Sequence, residues 1–263
     1  MNQRRPVLLQ ATVVAVLLFL FVPIAIIVIY AFSASNVQSW PIAALSRRWF
    51  GEAWADEEVR AAFTLSLQVA SAAATLAVVL GTLAAMAVNR MAPGPRDAVS
   101  FALVLPIALP GILTGMALNA YFSAAHMMLD FTTIVIGHTI FCIVIVYNNV
   151  LARLRRLPRS LTEASADLGA GAWRTFRLIT LPMTASAIGA GALLAFALSF
   201  DEVIVTTFTA GVQTTLPLWV LGAIRLGQRL PEVNVVVFAV VLLTVVPVVL
   251  AQRLTGEAGQ LHK

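Results

Sequence analysis

From Val7 to Phe32 the chain carries no charged residue, and that run limits what it can become more than any other feature. A bilayer core of about 30 Å is crossed by roughly 20 helical residues. In hydrocarbon every backbone polar group must be bonded within its own segment, so a run of this kind is a helix. Composition points the same way. The chain is 60% apolar and 11% charged, whereas soluble domains sit nearer about 45–50% and about 25%. Arg4 and Arg5 precede the run, but no small-residue cleavage site follows promptly. It is therefore read as a retained first span and not a signal peptide. A single cysteine, Cys142, excludes an intrachain disulfide.

Five further spans are expected on the same grounds: about 61–88, 98–121, 131–152, 182–205 and 233–251. The third contains Pro106, Pro110 and Gly111. Prolines four apart remove backbone donors, so this span is predicted to be kinked and to face a bundle interior. Trp49, Phe50 and Trp54, in the polar stretch after the first span, suit an interfacial aromatic belt. Residues 203–224 have no charge but hold five threonines, Gly211, Gln213 and Pro217. They are read as a surface or re-entrant segment, with a short helix near Leu216 to Leu226. Six spans place both termini on one side. With the N-terminus inside, twelve Arg and Lys residues fall on the inner side and five on the outer. That asymmetry supports N-in, C-in and a cytoplasmic segment from Arg153 to Pro182. It also accounts for the net charge of +5 without nucleic acid. The expectation is an all-α membrane protein of six transmembrane helices, forming a single domain over residues 1–263.

The segment Arg153 to Pro182 holds six of the 16 arginines. Its signals predict two short helices joined by glycines. Pro158 stops the preceding helix, and Ser160 with Glu163 forms a capping box, S-x-x-E. Leu161, Ala164, Ala166 and Leu168 supply an apolar side, and Gly169 ends the first helix at C′. A second helix runs from about Ala172 to Leu178, with Trp173 and Phe176, before Pro182 opens the next span. On these residues alone, a docking element for something outside the membrane and an amphipathic loop resting on lipid headgroups fit equally.

Several chemistries are excluded. Lys263 is the only lysine, so the chain has no Walker A loop. It has no H-E-x-x-H and no G-x-S-x-G, and His126, His138 and His262 show no metal spacing. No enzyme constellation and no metal site is expected, and His138 is read as hydrogen-bonded structure. The polar pair within the spans is Asp201-Glu202. Acids in a span are costly and mark a bundle interior or a water-filled path. The pair lies about 29 Å along a helix from Pro182, near the outer end of the fifth span. Either one acid lines a path that attracts a cation, or both sit in the outer headgroup zone or pair with Arg225 or Arg229. Tyr121, Tyr147 and Asn148 complete the candidate path.

Glu163-Ala164, Gly169 six residues after the glutamate, and the closing Ile179-x-Leu181-Pro182 resemble the EAA signature of type I ABC importer permeases. Ser165 stands where that family's second alanine falls. LPIALPG, GALLAFALSFDEVIVTTFTAG and TLPLWVLGAIRLG are similar to the polyamine (spermidine/putrescine) branch, in particular its PotC-like permeases. The resemblance covers most of residues 60–250. It implies a MetI-like permease fold in the bacterial inner membrane, within an ATP-driven importer. Ser160, Glu163, Ala164, Asp167, Gly169, Trp173, Arg174 and Pro182 would then couple to a cytoplasmic ATPase dimer, with ATP and magnesium on that partner and no cofactor in this chain. A second permease, of a different chain, and an external solute-binding protein are implied too. The implied cargo is a small cation such as a polyamine. Relatives with similar spans carry amino-acid or opine-type solutes, and a gradient-driven secondary transporter is the more distant alternative.

Overall fold

The computed structural model describes residues 4–243. Among these, the regular structure is helical except for an isolated antiparallel bridge between Ser33 and Leu45. The helices are α1 (Arg4–Ala31), α2 (Arg48–Ala55), α3 (Glu57–Asn89), α4 (Pro95–Ala108), α5 (Gly111–Ala124), α6 (Phe131–Leu154), α7 (Arg159–Asp167), α8 (Ala172–Thr175), α9 (Leu181–Phe200), α10 (Ile204–Thr209), α11 (Leu216–Leu226) and α12 (Leu230–Leu243). The chain divides into two units, one of Met1–Arg60 with Val220–Lys263 and one of Ala61–Trp219.

In the first unit α1 is apolar all round, and none of its 18 most apolar residues is buried. A helix of that character needs an apolar surrounding on every side. After it the chain folds back on itself. The Trp49 indole donates to the Ser33 carbonyl at 2.9 Å, and the rings of Phe32, Phe50 and Phe238 form a cluster with centroids 5.0–6.0 Å apart. Asp56 caps α3 by accepting the Glu58 amide at 2.8 Å. Arg229 is ion-paired to Asp56, Glu58 and Glu232.

In the second unit α6 is the central element. Its capping box is well formed: Asp130 accepts the Thr132 and Thr133 amides, and the Thr133 hydroxyl accepts the Asp130 amide at 2.8 Å. From it Phe141, Cys142, Val146, Tyr147 and Val150 point into a core shared with Ala74, Ala77, Ala85 and Val88 of α3, Ala195 of α9 and Val205 of α10. Small residues let the backbones approach, as is usual where lipid supplies no hydrophobic driving force between helices. Val146 shows this best. A Cβ at Gly81 of α3 would lie 2.9 Å from both the Ile143 carbonyl and Val146 Cβ. One at Gly191 of α9 would lie 3.1 Å from Val146 Cα.

Three expectations need correction. The third span is not a kinked helix but two 14-residue helices, α4 and α5, bent by 98° at Leu109-Pro110. Pro110 has no amide to continue α4, and the residue before a proline is driven out of the helical region. Leu109 is accordingly extended, at φ −80° and ψ 145°. Each half is about 21 Å long, too short to cross the core alone. The fifth span stops at Phe200, with Asp201 as its C-cap, and does not reach Val205. At its other end it does not begin afresh at Pro182, because Ala172–Phe200 is one continuous helical stretch. Among the described residues, four helices are therefore long and apolar enough to span, five if the bent pair counts as one. The expected last span begins as α12, and residues 244–251 lie outside the described residues. The short helix expected over 216–226 is present with those bounds.

Candidate coupling element and polar seam

The stretch from Pro158 to Pro182 folds as a short helical lever. The predicted capping box does not form. α7 begins at Arg159, directly after Pro158 at ψ 129°, with no side-chain cap. Proline already sets the extended entry, so Ser160 falls inside the first turn, where its hydroxyl has no cap to make. The expected C-terminal glycine is in place. Gly169 has φ +74°; its amide donates to the Ala166 carbonyl at 2.9 Å and the Ala170 amide to Ser165 at 3.0 Å. That pair of bonds is a complete Schellman motif, which requires the left-handed residue glycine supplies.

On α7 most of the apolar side faces outward. Leu161 is half-buried and Ser165 is 6% exposed, while Ala164, Ala166 and Leu168 point outward. Ser165 is held by Thr175, with 2.8 Å between the hydroxyls. Since the Thr175 hydroxyl also donates to the Gly171 carbonyl, Ser165 is the donor to Thr175. This bond ties α7 to α8. Beyond it a π turn, Phe176–Thr180, joins α8 to α9. The turn has a reason in the sequence. Pro182 in a plain α-helix would press its ring on the carbonyl four residues back. Widening the preceding turn, with the Leu181 amide bonded to Phe176, relieves that clash without breaking the helix.

The lever therefore presents Glu163, Ala164, Asp167, Leu168, Trp173 and Arg174 outward together. Leu168 is 87% exposed and Trp173 71%, and the Trp173 ring lies 5.5 Å from that of Phe176. Exposed apolar side chains thus stand among exposed charged ones on this stretch. If the Ser165–Thr175 bond holds this surface together, Ser165→Ala loses about 1 kcal/mol of local stability. Amide exchange across 172–175 then accelerates by about fivefold. Unchanged exchange would show that the bond holds nothing.

At the far end of α9 the candidate path residues separate into different roles. Asp201 is exposed. Glu202 turns its carboxylate back to accept the Val205 amide at 2.9 Å, so it caps the start of α10. Tyr121 is exposed, and Asn148 is exposed on α6. Tyr147 is 1% exposed, and its hydroxyl donates to Ser100 at 2.7 Å. The structure does not bring these five residues together into one cluster.

It does assemble a polar seam that is visible in the sequence only as a threonine-rich stretch. His138 Nε2 lies 2.8 Å from the Thr206 hydroxyl, and Nδ1 lies 2.8 Å from Ser199. Thr206 donates its own proton to the Glu202 carbonyl at 2.6 Å, so it accepts from Nε2–H, and Ser199 donates to Nδ1. Thr133 donates to the Thr209 carbonyl, and Asn119 to Phe208. His138 is hydrogen-bonded structure, as expected. Through these bonds α10 is fastened to α5, α6 and the end of α9. Threonines at 206 and 209 are the available signal, being one helical turn apart with a buried histidine elsewhere to meet them.

Residues 77–256 match the family described as "Binding-protein-dependent transport system inner membrane component". The chain belongs to this family. Among relatives of this transport component, the putrescine transport system permease protein PotI of Escherichia coli K12 is 39% identical over 225 residues, covering 82% of this chain and 79% of its own. The spermidine/putrescine transport system permease protein PotC of Haemophilus influenzae is 32% identical over 241 residues, covering 91% and 93%. The fold is shared with a bacterial ABC transporter involved in the import of the acidic polysaccharide alginate, at TM-score 0.70 and 13% identity over 98% of each chain.

Proposed function

We propose that this chain is one permease subunit of an ATP-driven importer for a polyamine such as putrescine or spermidine. The observation that carries this reading is the outward lever of α7 and α8, made continuous with α9 through a π turn, in a chain similar to polyamine permeases over most of its length. A cytoplasmic ATPase dimer, which binds the ATP and magnesium, engages the lever. Closure of that dimer then moves α9 as a rigid body and alternates access to the path. Six spans with both termini in the cytoplasm, an inner-membrane location, a second and different permease chain, and an external binding protein complete the assembly. Coupling falls to Glu163, Ala164, Asp167, Gly169, Trp173 and Arg174, with Ser160 and Pro182 at the ends of the lever. Asp201, exposed at the end of α9, supplies the negative charge that attracts the cation.

Purifying the tagged chain from its native host tests this. An ATP-hydrolysing subunit and a second permease are expected to co-purify, and reconstituted vesicles are expected to take up putrescine. Asp201→Asn raises the KM for putrescine by about tenfold, the effect of losing one charge contact of about 1.4 kcal/mol. Preparations that never contain an ATPase, or polyamine uptake indifferent to Asp201, would overturn the respective part.

A further inference from the structure

A cavity of about 380 Å³ opens between α6 and α9, lined by Asn148, Asn149, Ala152, Arg153, Arg156 and Ala187. Two alanines, one from each helix, two guanidiniums and two amides line it, and no carboxylate is among the lining residues. Arg153 is preset: its Nε donates to the Met183 carbonyl at 2.9 Å across the crevice, which leaves the forked end of the guanidinium for another acceptor. Arg156 is exposed beside it. The end of a helix ordinarily repels anions through its bare carbonyls. Here the Leu151, Arg153 and Leu154 carbonyls are taken by the Arg155, Arg156 and Leu157 amides. The sign of the site is thus set by the arginines. It is the wrong sign for a cationic cargo, so the cavity is not a stage on the path proposed above.

We propose that this cavity binds an anionic phosphate group, and that an anionic phospholipid headgroup is its ligand. Paired guanidiniums bind phosphate oxygens bidentately, and basic pockets between transmembrane helices at the cytoplasmic side suit acidic headgroups. Arg153 and Arg156 stand where α6, an apolar helix long enough to span, gives way to the charged loop. A phosphate held there joins α6 to the first turn of α9, next to the lever.

Native mass spectrometry of the assembled transporter, washed after incubation with phosphatidylglycerol or phosphatidylcholine, tests the site. Phosphatidylglycerol is expected to stay bound at least about tenfold more than phosphatidylcholine, whose ammonium the arginines repel. Arg156→Gln abolishes that preference and Arg156→Lys keeps most of it, while Arg90→Gln, elsewhere in the chain, leaves it unchanged. Displacement of the bound lipid by inorganic phosphate would identify a soluble phosphate as the ligand of the same site and overturn the lipid assignment; lack of displacement identifies the lipid. Equal retention of the two lipids, or a preference that survives Arg156→Gln, overturns the proposal. The readout needs no transport, so its failure leaves the permease assignment standing, and failure to recover an ATPase leaves this site testable.

Discussion

Glu163→Lys abolishes transport while the protein still inserts and folds. Glu163 is exposed on α7 beside Ala164, so reversing its charge costs the isolated permease little. Against the ATPase proposed to dock here, the same change would set a repulsive charge inside the interface. Truncating or reversing one partner of a buried charge pair costs about 3 kcal/mol, on the order of a hundredfold in association. ATP hydrolysis by the complex should become independent of the binding protein, and uptake should vanish. Gly169 provides the companion case. A Cβ there meets nothing within 4 Å, so space is not the constraint; φ +74° is. Gly169→Ala therefore costs about 1 kcal/mol of left-handed strain. Gly169→Asn, which tolerates that conformation, costs less. Vesicle uptake assays with parallel ATPase measurements check all three. Normal uptake in Glu163→Lys would remove the lever from the mechanism.

Gly81→Leu strongly destabilises the second unit. The added Cβ would sit 2.9 Å from the Ile143 carbonyl and from Val146 Cβ, and a helix backbone cannot give way as a flexible side chain can. On the other side of α6, Gly191 leaves no slack, since a Cβ there would already lie 3.1 Å from Val146 Cα. Overpacking of this kind costs roughly 3 kcal/mol, about 10 °C in Tm for a unit of this size. Gly189→Leu, two residues before Gly191 on α9, is the control, because nothing lies within 4 Å of a Cβ there. Thermal unfolding of the purified complexes should separate the two substitutions. Equal Tm values would mean that α3 and α6 are not packed as described.

Much of the candidate site is legible in the sequence. The lever's position, its division at Gly169 and its outward charges follow from local rules, in which a left-handed glycine and a proline act on their immediate neighbours. The short helix from Leu216 to Leu226 is legible for the same reason. The capping box fails because two local signals compete: Pro158 sets the entry to α7, and Ser160 loses its place as a cap. The polar seam is not legible, because His138 lies 61 residues from Ser199 and 68 from Thr206, and no local pattern states which distant hydroxyl meets a histidine.

Local sequence thus determined by itself that the chain is helical and membrane-embedded, where its charged segment lies, and which glycine turns it. Those properties depend on the hydrophobic length of single segments and on backbone geometry within a few residues. Only the tertiary structure decided three further things: that Pro110 breaks its span outright at 98°, that α8 runs into α9 through a π turn, and that Ser165 and not Ala164 faces inward. The prolines mark where the first two occur, but the size of the bend, the continuity of the helix and the inward side chain depend on where a backbone carbonyl or hydroxyl finds its partner once other helices are packed around it. That partner is a matter of three-dimensional position, which hydropathy and spacing along the chain do not encode.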